Sequence, residues 1–238
     1  MAFEIITEPT PTAPKMMIYG RSGVGKTTLA SQLKNSLIID LEGGSNYLST
    51  PRTKLITNVE KVYEILAELY RAPERKFDMI CFDSVDWLVT RITQQVAGTD
   101  KRHLDATLNK SNGGFGNGKQ VLKNHIMARF IPTLDALNSK GYGICLVAHT
   151  ETKNLSDDEG VMVEKFAPKI DENTMNTFLE WCDNVFYLKK DINDDRVLVL
   201  EGDSTAVAKN RLGLTGEVKL KDNDINDIIK LTSMKKEK

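Results

Sequence analysis

The chain has 238 residues, 40% of them hydrophobic and 27% charged, with a formal net charge of -1. That length supports one α/β domain with a sizeable core. The near-neutral balance excludes bulk charge as a means of holding nucleic acid or membrane, so any DNA site has to come from local clustering. The three cysteines, Cys81, Cys145 and Cys182, are far apart and lack ligand-like spacing. This argues against a disulfide framework or metal cluster and for a reducing compartment. The start, Met1-Ala2-Phe3-Glu4, has no basic region followed by an apolar stretch, and no apolar run reaches membrane-spanning length. The expectation is a soluble cytoplasmic protein with no membrane partner.

Residues 1–14 read as an extended lead-in, because prolines at 9, 11 and 14 oppose regular structure. Residues 15–19 form a short apolar strand that runs into a Gly-rich turn, and 27–33 have helical spacing. Residues 37–40 read as a second buried strand, continuous in apolar character as parallel strands are. Val59, Val62, Ile65, Leu66 and Leu69 make the stripe of an amphipathic helix. A strand is expected over 77–83 and a helix over 86–96. Residues 98–118, rich in Gly, Asn and Lys, read as a long loop. The helix expected over 119–138 should bend near Pro132.

A fourth core strand is expected over 142–148, a second polar excursion over 151–168 and a short helix over 172–181. Residues 184–189 and 196–201 read as a β-hairpin, and 221–238 as a charged tail. No repeat or linker divides residues 15–220. The fold class is therefore α/β: one domain with a mostly parallel sheet, helices on both faces and a C-terminal β-hairpin.

The most specific signal is Gly20-Arg21-Ser22-Gly23-Val24-Gly25-Lys26-Thr27. Glycines at 20, 23 and 25 let the backbone curl so that successive N–H groups face phosphate oxygens, and the following helix points its positive end at the same anion. Residues Gly20 to Thr28 are the expected ATP-binding segment. Lys26 reaches the β- and γ-phosphates and the Thr27 hydroxyl coordinates Mg²⁺. Asp83 ends an apolar strand and would bring a carboxylate to the metal side of the crevice. Strands also end in Asp simply to form a turn.

Four local features resemble the RecA-like ATPases. Ile38-Ile39-Asp40-Leu41-Glu42-Gly43 resembles the strand whose terminal Glu activates the attacking water, which implies a catalytic role for Glu42. Asp83-Ser84 matches the end of the family's metal-binding strand. Residues 143–150 look like the strand inserted between the phosphate-loop and metal strands. The polar residue ending that strand senses the γ-phosphate; it is usually Gln, and here it is His149. Ala208-Lys209-Asn210-Arg211 looks like the Lys-x-Arg element whose cations reach a neighbouring subunit's γ-phosphate. Lys209 and Arg211 thus imply a homo-oligomeric ring or filament. The pattern is similar to small phage-encoded RecA-like proteins, including single-strand annealing recombinases, over roughly residues 15–214.

In that family two loops touch single-stranded DNA. The first corresponding loop carries Lys101, Arg102, Lys110 and Lys119 with Phe115 on a Gly/Asn segment. Cations for phosphates and a ring for base stacking suit sequence-tolerant single-strand binding; a mobile loop with ordinary solvated charges has the same composition. The second excursion is acidic, with Asp157, Asp158, Glu159 and Glu164. The leading expectation is a DNA-stimulated ATPase of phage-type recombination or annealing, with a single-strand-binding protein as a further partner. A regulatory nucleotide-binding module with little turnover and a P-loop small-molecule kinase are the alternatives.

Overall fold

Strand β1 (Lys15–Gly20) is buried at every position from Met16 onward because helices cover both of its faces. In the computed structural model, which describes residue 7 and residues 12–98, 108–156, 160–211 and 213–233, side chains leave β1 alternately to either side. Met17 and Tyr19 join one apolar cluster, and Met16 and Ile18 join another.

Four more parallel strands repeat this alternation: β2 (Ser36–Asp40), β3 (Met79–Asp83), β4 (Gly143–Ser156) and β6 (Asn184–Lys190). With β5 (Met162–Pro168), β7 (Arg196–Val199), β8 (Lys209–Asn210) and β9 (Glu217–Lys219), they make nine strands among the described residues. The order is β2-β3-β4-β1-β6-β7-β9, so β4 is inserted between β1 and β3. One face is covered by α2 (Val59–Arg71), α3 (Val85–Gly98), α4 (Asn117–His125), α5 (Ile131–Ser139) and α6 (Glu172–Trp181). The other is covered by α1 (Lys26–Ser31) and α7 (Ile225–Ser233).

Three expectations are corrected. Residues 151–156 and 162–168 are strand rather than loop: β4 continues to Ser156 and pairs antiparallel with β5, from Thr150 opposite Pro168 to Ser156 opposite Met162. This arm is half-exposed along most of its length, so polar residues are mixed with apolar ones such as Met162, Val163 and Phe166 while its two strands stay paired. The Tyr19 hydroxyl anchors its base, lying 3.0 Å from the Phe166 carbonyl oxygen and 2.6 Å from that of Val207.

The helix expected to bend near Pro132 departs from α-helical bonding upstream of it, in a π-helical turn at Ile126–Phe130. Pro132 stands at the start of α5, directly after this turn. The charged tail also contains order: Ile225 and Ile228 of α7, three apart on one helical face, are buried in the second cluster. The strands around 191–195 pair antiparallel as β6 and β7, and β9 then extends the sheet beyond β7.

Candidate nucleotide-binding site

The carboxyl ends of β1 and β3, His149 of β4 and the loop after β2 meet at one edge. Gly20 lies between His149 of β4 and Leu188 of β6. A Cβ there would sit 2.3 Å from the Leu188 carbonyl oxygen, so the turn can leave the sheet at this point only from glycine. Gly23 and Gly25 have φ of 77° and 99°, the left-handed values the loop needs. No side chain caps the start of α1, which leaves its first N–H groups free for an anion. Lys26 is buried, and its ammonium donates to the Arg21 carbonyl at 3.0 Å. Burial pushes its pKa down, opposed by the negative charges of Glu42, Asp83 and Asp86. A lysine held inside its own loop is already placed for phosphate.

Asp83 is buried at the end of β3, and burial raises its carboxyl to about 6 against the Thr27 hydrogen bond that favours the charged form. The peptide bond from Asp83 to Ser84 is cis. The described residues contain no group of three or more His, Cys, Asp or Glu side chains arranged for a metal. A cation at this edge would therefore have the Thr27 hydroxyl and the Asp83 carboxylate as protein donors, with phosphate oxygens beside them. An all-oxygen, partly ligand-supplied set fits Mg²⁺.

The loop after β2 is shaped by Asp40, whose carboxylate accepts from Glu42 N–H at 3.1 Å, from Gly43 N–H at 2.6 Å and from the Ser45 hydroxyl. Gly43, at φ 91°, completes the turn. These bonds project Glu42 toward His149, whose Nε2 lies 3.4 Å from Glu42 Oε1. The other ring nitrogen, Nδ1, is 3.0 Å from Asp86 Oδ2, and the His149 backbone N–H donates to Asp86 Oδ1 at 3.1 Å. Asp40 and Asp86 were not identifiable in sequence as site residues, since each reads as an ordinary strand-end or helix-start acid.

The structure thus brings together Gly20 to Thr28, Glu42, Asp83 and His149. Lys209 and Arg211 lie elsewhere: β8 pairs with Asn184 and Val185 at the opposite end of β6, and the Arg211 Nε is 3.1 Å from Asp183. Lys110 and Phe115 are exposed in the turns that precede α4 and Lys119 is exposed in its first turn, while Lys101 and Arg102 fall outside the described residues. A cavity of about 600 Å³ beside the phosphate loop has aromatic and cationic walls that the sequence does not signal. There Phe166 stacks on Tyr187 with ring centroids 5.4 Å apart, and Arg21 lies over the Phe166 ring. Arg196 of β7 also reaches the loop, with its Nη1 3.1 Å from where a Gly25 Cβ would be.

A phosphate loop after the central strand, a carboxylate ending β3 and β4 inserted between β1 and β3 define a P-loop nucleotide-binding domain. The chain belongs to the AAA domain family, whose model matches residues 12–212. No curated protein matches it. No helix among the described residues is long and apolar enough to cross a membrane.

Proposed function

We propose that this AAA domain hydrolyses ATP with Glu42 as general base and acts on single-stranded DNA in phage-type recombination or annealing. The observation that carries the hydrolytic reading is the position of Glu42. Its Oε1 lies 3.4 Å from Nε2 of His149, the residue paired with Gly20 at the start of the phosphate loop. The loop N–H groups and Lys26 would hold the phosphates, and Thr27 and Asp83 would hold Mg²⁺. When bound, Mg²⁺ neutralises charge on the β- and γ-phosphate oxygens. The water oxygen bonds to the γ-phosphorus as the bridging P–O bond to ADP breaks, and the water proton passes to Glu42.

The DNA reading is supported by Phe115, which is fully exposed in a left-handed conformation at φ 54°. It stands between exposed Lys110 and Lys119, an aromatic surface for a base flanked by cations for phosphates. Lys101 and Arg102 belong to the same proposed contact. Lys209 and Arg211 are remote from the phosphate loop of their own chain, so any action on γ-phosphate is on a neighbour's, in a ring or filament.

The test is steady-state ATP hydrolysis with and without single-stranded DNA at low salt. Stimulation that is lost in Glu42→Gln and weakened by joint replacement of Lys101, Arg102, Lys110 and Lys119 with Ala is the expected result. Tight ATP binding without stimulation would instead favour a regulatory module.

A further inference from the structure

Asp86, His149 and Glu42 form one continuous side-chain chain across the edge of the sheet, and each comes from a different element. Asp86 is in the first turn of α3, His149 is in β4 and Glu42 is in the loop after β2. Both oxygens of Asp86 engage the same residue: Oδ1 takes the His149 backbone N–H and Oδ2 faces Nδ1. The ring therefore has little freedom about its side-chain torsions, and Nε2 is aimed at Glu42 Oε1, 3.4 Å away. Lys169 N–H donates to the His149 carbonyl at 2.8 Å, which fixes the backbone from the other side. The side chains of Asp86 and His149 are 10% and 18% exposed, whereas that of Glu42 is 33% exposed, so the chain leads from the interior to the crevice.

We propose that Asp86 is a positioning residue for ATP hydrolysis, holding His149 so that its Nε2 fixes the Glu42 carboxylate for the attacking water. This rests on the reading of Glu42 as general base. Ionised carboxylates only accept hydrogen bonds, so an imidazole between two of them satisfies both only as the doubly protonated cation. Once Nε2 loses its proton, a lone pair faces the Glu42 oxygen and the hold is released. The charged groups acting on the ring are Asp86 from α3, Glu42 from the loop after β2 and Lys26 from α1. The hydrogen bond that His149 donates to Asp86 is the largest influence, and the result is a His149 pKa raised above its ordinary value. Burial alone would push the Asp86 carboxyl up, yet its bonds to His149 bring it below the usual range.

The arrangement makes hydrolysis depend on His149 protonation, with activity falling as pH rises through the histidine's raised pKa. Asp86→Asn keeps the backbone acceptor but removes the charge. It is expected to lower kcat ~10-fold, to leave ATP binding unchanged and to move the high-pH limb of the kcat profile toward lower pH. His149→Gln supplies a neutral donor and should retain part of the activity while losing that limb. NMR titration of the His149 ring in the nucleotide-free protein should show its pKa fall in both Asp86→Asn and Glu42→Gln. If Glu42→Gln is inactive while Asp86→Asn keeps the wild-type kcat and pH profile, the positioning role of Asp86 is overturned alone. If Glu42→Gln hydrolyses ATP at the wild-type rate, the general-base reading is overturned and this inference with it. A His149 pKa indifferent to both substitutions also overturns it.

Discussion

Two buried charges at the phosphate edge, Lys26 and Asp83, are held in the protein before any ligand neutralises them. For Asp83 the sign is unfavourable. Its carboxyl is raised to about 6, so the folded state resists ionisation. The resulting cost is absent below the pH range where an unfolded aspartate titrates and complete above about pH 6. Asp83→Asn should therefore stabilise the nucleotide-free protein at pH 7.5 by roughly 1–3 kcal/mol, measured by denaturant unfolding. The same variant should lose the extra thermal stabilisation that ATP gains from Mg²⁺; an unchanged Mg²⁺ effect would remove Asp83 from the metal site. Lys26 is the complementary case, because its ammonium is desolvated and already bonded to the loop. Lys26→Ala should fold with a Tm near that of the wild type but show no upward shift with saturating ATP, since ligand stabilisation follows binding to the native state.

At the scale of elements, two segments owe their order to contacts made far along the chain. At the base of the β4–β5 arm, beside backbone bonds such as Phe166 N–H to the Thr205 carbonyl, the Tyr19 hydroxyl is shared between Phe166 and Val207. Tyr19→Phe leaves these two carbonyls without that donor, and a loss of about 1–2 kcal/mol is expected. Hydrogen exchange should then quicken in the arm before it does in β1. Helix α7 closes the α1 face through Ile225 and Ile228. Ile228→Ala is expected to cost about 2–4 kcal/mol by chemical denaturation, whereas a solvated tail would tolerate it. The alternation of Met16 and Ile18 against Met17 and Tyr19 was legible as a buried strand because period-two packing writes directly into sequence. The arm was not, since its half-exposed strands mix polar and apolar residues without a continuous buried face, and its order depends on pairing between β4 and β5.

For the molecule as a whole, the separation of Lys209 and Arg211 from the phosphate loop yields a test of assembly. If these cations serve a neighbour, Glu42→Gln and the double variant Lys209→Ala, Arg211→Ala should each be inactive alone. Mixed together, they should recover part of the ATPase rate, because some interfaces join an intact loop to an intact pair; no recovery at any ratio would exclude action in trans. What the sequence determined by itself was the phosphate loop, the Asp83 strand and the alternation of strands and helices. These depend on local backbone geometry and periodic burial, and neighbouring residues carry that information. Asp86 beside His149, Asp40 shaping the Glu42 turn, and Phe166 against Tyr187 were decided only by tertiary structure. Each joins residues from separate elements, and an acid or an aromatic ring has no role legible from its own neighbours until the sheet brings its partner within reach.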